Sequence, residues 1–503
     1  MNAQEATSRD GAGQWGWWVA AALLVALRLP HLMGPLDDPH SWRQCDTARY
    51  SLDFARNGID LLHPAVCWLG AHRTLIFEFA LPEAISALLQ RWFGEGEHWD
   101  RIVALGFFLA ATFYLHAFLR LAAGRRAAWL ATLAWLALPL GQFYSRAAHV
   151  DFAATAGVHA LLYHGARAAR GAHWGHAAGA AAGGTLAALI KAPYLLPVLG
   201  PLGLIALSAT GVTALAALGA ALAVTMVVFK LWRGHVDAVN AQAPDWFFLP
   251  GYYKEVNPLW WYFGEWTQRF DRASWVRVVR RLVQEVATAP GVLIAFAAPF
   301  AAARTTALKA GPRALAVAWA VGTIAYLLVF FPLNVIHNYY QIPFLAPAAL
   351  LIALGFEAMW DRVRWGAIAA GVLFAAMILV SPARLHYYGV DWLRIEAGYV
   401  IDARVPKGDL VVACDHSSGH SDPRLLHRAD RDGWPLAIAD LTPERLAKLH
   451  ALGARHVAIV TSDIRPDLRA PEFLAPARVG EYPLLHWEGE VIGKLTLYSL
   501  PVP

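Results

Sequence analysis

Charge is scarce in this chain. Only 16% of its 503 residues are Asp, Glu, Lys or Arg, against 57% hydrophobic, which excludes an ordinary soluble globular protein. Cysteine is scarcer still. Cys45, Cys67 and Cys414 are too few for a disulfide framework and show no zinc-type spacing with histidine, although Cys45 and Cys67 could pair if their loop faces an oxidising compartment. No small-x-small cleavage site follows the first apolar run, so that run reads as a retained anchor rather than a signal peptide. Repeats are absent, and low complexity is confined to Ala/Gly-rich runs where small residues let helices approach closely. The net charge is +5, and its basic residues sit in short loops rather than one stripe, which excludes a nucleic-acid partner.

What remains is long apolar runs. Stretches of about 17 to 25 residues span a bilayer, and eleven are expected at 15–33, 101–121, 127–144, 150–167, 175–190, 192–209, 212–232, 287–303, 314–332, 340–357 and 365–381. The 22 Trp and 16 Tyr fit aromatic belts in contact with membrane lipids. The segment 77–93 contains Glu78, Pro82, Glu83 and Arg91 and is expected to lie at the interface instead. With the N-terminus inside, the short inner loops "RLAAGRR" (120–126), "RAARGAH" (167–173), "RTTALKAGPR" (304–313) and "DRVR" (361–364) are all basic, as positive-inside bias requires. The fold class is therefore mainly α and polytopic, with residues 1–381 as the membrane portion. Its two large outer loops are 34–97 and 233–286. In the second loop, "WVRVVRRLVQEV" (275–286) should form a helix lying flat on the membrane. The tail 382–503 changes character. Strand-like runs at 409–415, 456–463 and 494–500 and a Thr-capped helix at 442–453 ending in Gly predict a small α/β domain outside the membrane.

Polar residues gather at the outward turns. Directly behind the first run come Asp37, Asp38, His40, Arg43, Asp46 and Arg49; later turns add Arg146, His149 and Asp151, then Lys191, then His337, Tyr339 and Tyr340. A charge at membrane depth is a functional candidate by default. A sugar on a polyprenyl phosphate is a substrate suited to this set. Asp46 would take a proton from an acceptor hydroxyl, and cations would neutralise the departing phosphate. A transporter or lipid-linked-sugar flippase is the alternative, but that class favours midplane polar residues and repeats.

The same residues carry a resemblance. "DTARY" matches a "DE-x-RY" pattern, with Asp46 in the carboxylate position. "FEFALPEAISALL" resembles "FEKPPL-x-YWL" with Glu78 in place, and "SRAAHVDF" resembles the segment carrying a second aspartate, here Asp151. "IKAPYLLP" resembles "KGP", and "HNYYQIPFLAP" resembles "H-x-YY-x-x-P-x-x-P". Together these resemble the GT-C superfamily of lipid-carrier glycosyltransferases, specifically glycosyltransferase family 39 with its protein O-mannosyltransferases and lipid A aminoarabinose transferases. The resemblance implies transfer of a sugar from a polyprenyl-phosphate donor to a glycan, lipopolysaccharide or protein acceptor on the periplasmic face of a bacterial inner membrane. It implies Asp46 and Asp151 as catalytic residues; Lys191, Arg49, Arg146, His337 and Tyr340 as carrier contacts; and Asp38, His40, Arg43 and Glu78 as substrate contacts. Thr47 stands where the family has glutamate, and Phe79 where the aminoarabinose transferases have a phosphate-binding lysine. The sugar and acceptor of those relatives are therefore not carried over.

Each residue keeps a plainer reading. Asp46 could instead pair with Arg43 or Arg49, Asp151 could cap the next helix, Lys191 could snorkel and His337 could bond within the helix packing. No cofactor is implied with certainty. Asp37, Asp38 and His40 could hold a divalent cation, and His416 with His420 lacks the further ligands a zinc site needs.

Overall fold

A tight approach of two helices shows how the apolar runs are assembled. Gly157 on the helix Asp151–Ala169 faces Gly183 on Trp174–Lys191. A Cβ on either would come within 2.6 Å and 2.7 Å, respectively, of the other's carbonyl oxygen, so only glycine permits this contact. The computed structural model describes residues 3–36, 40–171, 174–303, 306, 308–380, 387–415, 419–462 and 469–500. It divides into a helical unit (Met1–Met33, Arg101–Arg233 and Leu259–His386) and a mixed unit (Gly34–Asp100, Gly234–Pro258 and Tyr387–Pro503).

Among the described residues, five helices are long and apolar enough to cross a membrane: His98–Ala122, Trp174–Leu207, Val212–Asn240, Gly311–Val329 and Asn338–Arg362. A sixth results if Arg272–Val286 and Ala289–Phe300, bent by 87° at their junction, count as one. Five or six is thus what length and hydropathy carry, against the eleven expected. The differences have local causes. The runs at 175–190 and 192–209 join into a single span interrupted by Pro193 and Pro197 in the 3-10 turn Ala192–Val198. The run at 127–144 divides because Leu138 is extended and Pro139 opens a new short helix. The run at 287–303 yields only the seven-residue helix Ala289–Ala295, capped by the Thr288 hydroxyl accepting from Gly291 N–H. The run at 365–381 forms a fifteen-residue helix, Gly366–Val380.

The mixed unit is built on a five-stranded sheet. Its strands are β1 (Leu410–Asp415), β2 (Gly433–Ala437), β3 (Ala454–Ser462), β4 (Arg478–Leu485) and β5 (Val491–Ser499), in the order β2-β1-β3-β5-β4. β1 pairs in parallel with β2 and β3, whereas β5 runs antiparallel to β3 and β4. Three strands fall where the sequence predicts them. The helix Pro443–Ala451 has the expected cap, with Thr442 accepting from Arg445 N–H, and Gly453 follows at φ +106°. The core of the unit contains Val411, Val412, Val457, Ile459, Leu495 and Leu497 together with first-loop residues Tyr50, Phe54, Val66 and Trp68. The first loop also reaches the sheet edge: Gly433 N–H donates to Cys67 O at 2.9 Å, and Gly70 N–H to Gly433 O at 2.8 Å. Gly70 has φ +54°, and a Cβ there would sit 2.1 Å from the Trp434 ring, so the crossing requires glycine.

Candidate active site

In the mixed unit the helix Ser41–Asn57 carries most of the first-loop candidates. It starts directly after His40, a non-glycine residue at φ 61°. Its positions 41 and 44–51 are buried. Asp46 is 2% exposed. One carboxylate oxygen, Oδ1, accepts the Trp68 indole N–H at 3.0 Å; the other, Oδ2, lies 4.0 Å from Arg43 Nη1, beyond hydrogen-bond reach. Arg43 is drawn to Glu78, with which it forms an ion pair, and its guanidinium lies 5.1 Å over the Phe77 ring. Burial pushes the Asp46 carboxyl up to about 7, against the opposing pull of Arg43 and the Trp68 hydrogen bond, and Asp422 adds to the rise. A carboxylate so placed can accept a proton near neutral pH.

Arg49 is engaged elsewhere. Its two Nη atoms bond Asp430 at 3.2 Å and Asp432 at 2.8 Å, and Arg73 bridges Asp432 at 3.0 Å and Asp53 at 2.6 Å. These pairs tie first-loop segments to the sheet region. Asp37 and Asp38 lie outside the described residues, as does His416. Among the described residues no three His, Cys, Asp or Glu side chains converge in a way that could hold a metal ion. Cys45, Cys67 and Cys414 are buried and form no disulfide with one another.

A second cluster lies within the helical unit. Asp151, at the first turn of Asp151–Ala169, is fully buried. Lys191 Nζ bonds its Oδ1 at 2.7 Å, the Tyr194 hydroxyl donates to the same oxygen, and the His149 ring meets Oδ2. The Lys191 ammonium also sits over three tyrosine faces, 4.5 Å from the Tyr340 centroid, 4.8 Å from Tyr339 and 5.4 Å from Tyr194. His337 stacks on Tyr339 at 5.0 Å, and Tyr326 and Tyr194 bond the carbonyls of Tyr340 and Tyr339 at 2.8 Å and 3.1 Å. Asp151, Lys191, His337 and Tyr340 thus belong to one cluster of the helical unit, linked through Tyr194 and Tyr339. Arg146, 1% exposed, packs over Phe143 at 5.0 Å and donates to His31 O at 3.3 Å.

Sequence reasoning passed over two residues at these positions, Trp68 and Tyr194. Tyr194 follows Lys191 by three positions, a spacing that keeps it close to Lys191 after the helix gives way to a 3-10 turn. Trp68 carried no signal beyond being one of 22 tryptophans.

No protein-family model matches the chain, and no curated protein matches it by sequence. Solved structures do match. ArnT from Cupriavidus metallidurans in the apo state superposes with a TM-score of 0.63 at 14% identity, covering 97% of this chain and 98% of that one. The same protein bound to undecaprenyl phosphate gives 0.59 at 14% identity over 96% and 98%. The chain has the fold of the GT-C glycosyltransferases. The oligosaccharyltransferase AglB from Archaeoglobus fulgidus, in complex with an inhibitory peptide and a dolichol-phosphate, shares that GT-C fold with a TM-score of 0.52 at 11% identity, over 89% of this chain and 70% of that one. The GT-C-type fold expected from the motif resemblance is therefore present; among the described residues five or six helices are long and apolar enough to cross a membrane, and the count of eleven is not confirmed.

Proposed function

We propose that this protein is a membrane glycosyltransferase that moves a sugar from a polyprenyl-phosphate carrier to a periplasmic acceptor at the bacterial inner membrane. The observation that carries the proposal is the state of Asp46: a buried carboxylate with one oxygen held by a neutral donor, the other without a hydrogen-bond donor among the described residues, and a proton affinity raised to about 7. Structural neighbours bound to undecaprenyl phosphate and to dolichol-phosphate support the carrier class.

In this mechanism Asp46 takes the proton of the acceptor hydroxyl. The freed oxygen attacks the anomeric carbon, and the bond from that carbon to the phosphate oxygen breaks with inversion, its electron pair leaving on the polyprenyl phosphate. Lys191 stabilises that departing charge. Its ammonium is oriented by Asp151 and by three tyrosine faces, a preorganised cation of the kind that contributes most to such steps. Lys191, His337, Tyr340 and Arg146 would contact the carrier, and His40, Arg43 and Glu78, with Asp38, the sugar or acceptor. Arg49, already held by two carboxylates, is better suited to bracing the Asp46 helix. The acceptor is a glycan, lipopolysaccharide or protein.

The test is to incubate the purified protein in lipid nanodiscs with a panel of undecaprenyl-phosphate-linked sugars and an envelope extract as acceptor source. Consumption of one donor with release of undecaprenyl phosphate is expected. A panel spanning neutral, amino and deoxy sugars that stays intact throughout would overturn the proposal.

A further inference from the structure

A carboxylate that acts as a base must present one defined oxygen, because its terminal torsion is soft and roughly two-fold. Among the described residues Asp46 accepts no backbone N–H, and its nearest cation, Arg43, stands 4.0 Å away, beyond hydrogen-bond reach. We propose that Trp68 is a positioning residue for Asp46: its indole N–H fixes one carboxylate oxygen and leaves the other to receive the acceptor proton. Its functional half rests on the reading of Asp46 as general base; the interaction itself does not.

Indole is a donor only, and a buried indole N–H needs an acceptor. Trp68 is 2% exposed and spends its N–H on Asp46. The ring is itself immobilised. It lies edge-on to Tyr253 at 5.8 Å and parallel to Phe77 at 6.3 Å. The backbone on either side is bonded to Gly433 through Cys67 O and Gly70 N–H. Rotating the indole away would break this packing, so the donor is preorganised. A neutral donor has a further use here: it holds the carboxylate without neutralising it, whereas a lysine in its place would lower proton affinity far below neutrality. Burial drives the Asp46 proton affinity up, and the Trp68 bond limits that rise.

The experiment replaces Trp68 with benzothienylalanine, which keeps the bicyclic shape and swaps N–H for sulfur, and separately makes Trp68→Phe. Both full-length variants are reconstituted in nanodiscs. Infrared difference spectra against Asp46→Asn then isolate the Asp46 carboxyl band through a pH titration. The unsubstituted protein should titrate near 7, and loss of the N–H should raise the midpoint by about one to two pH units, the effect of one hydrogen bond to a charged group. The transfer defect of the variants should shrink at alkaline pH, which a merely structural defect would not do. An unchanged or lowered midpoint in the sulfur isostere overturns the proposal. Failure of the parent reading looks different: Asp46→Asn would then retain transfer, while the midpoint shift from Trp68 could still be observed.

Discussion

Two buried carboxylates in this protein are treated in opposite ways. Asp151 is tied to a cation: the Lys191 ammonium and the Tyr194 phenol bond one of its oxygens, and the His149 ring lies against the other. Asp46 receives one neutral N–H, and its nearest cation stands 4.0 Å off while paired with Glu78. Burial alone therefore does not identify a base. A carboxylate bonded to an ammonium and a phenol is suited to orienting them, whereas one with a single neutral donor keeps an oxygen that chemistry can use. Under the proposed mechanism the contrast corresponds to proton transfer at Asp46 and the holding of Lys191 by Asp151.

The largest expected effect follows from removing the half-satisfied group. Asp46→Asn keeps shape and hydrogen bonding to Trp68 but cannot take a proton, so transfer should fall by about 10²- to 10⁴-fold, the usual worth of a general base. The measurement is donor turnover, with undecaprenyl phosphate binding as the control that should hold. Asp151→Asn should behave differently, weakening carrier affinity more than the chemical step. Equal losses in turnover with equal binding would erase the distinction between the two sites.

Next in size is the response of the Asp151–Lys191 cluster. Lys191→Met strands a buried carboxylate, and breaking such a pair typically costs about 3–5 kcal/mol. Adding Asp151→Asn removes the stranded charge and should recover most of the thermal stability. Carrier binding should stay lost, because the cation is still missing. A double variant that binds undecaprenyl phosphate like the unsubstituted protein would show that Lys191 is a structural partner only.

The pH dependence of Asp46 gives a smaller effect of defined sign. Its folded value, about 7, lies above the ordinary carboxyl value of 3.8, so the folded state holds this proton more tightly than the unfolded chain. Stability from this group is therefore full below the ordinary value and declines as pH rises toward 7. Asp46→Asn should be relatively more stable than the unsubstituted protein above pH 7, with the difference vanishing near pH 4. Activity runs the other way, rising with pH through about 7 as the base ionises. Thermal melts and turnover measured across pH 4 to 9 would separate the two trends, and parallel trends would contradict the assignment.

How much of this was legible beforehand follows the same physics. Asp46, Asp151, Lys191 and His337 stood out because a polar group in an oily chain is costly wherever it sits. Trp68 and Tyr194 did not, because an aromatic residue in such a chain has many reasons to be there. In the tail, β1, β3 and β5 were visible as β-branched runs. β2 and β4 were hidden by Gly433, Pro435, Gly480 and Pro483, residues that a sheet tolerates because these two strands are its edges. The count of eleven spans is not confirmed by helix length and hydropathy for a related reason: an apolar run records burial, and burial in protein reads like burial in lipid. Every residue from Ala127 to Ala137 is packed inside the helical unit, which gives that thirteen-residue helix the composition of a span without the length.

The smallest effect concerns the frame rather than the chemistry. Arg49 joins the Asp46 helix to Asp430 and Asp432, whose side chains are 24% and 22% exposed. Solvent at the carboxylates discounts these pairs relative to a buried one, so Arg49→Gln should cost about 1–2 kcal/mol. The loss should be local: faster amide exchange in Ser41–Asn57 and around Asp430, with the Lys191 cluster unchanged. If Arg49 instead contacts carrier phosphate, Arg49→Gln would weaken undecaprenyl phosphate binding while leaving exchange in that helix untouched. The two outcomes are exclusive. A guanidinium fixed by two carboxylates has little remaining charge to offer a third anion, so the exchange effect is the expected one.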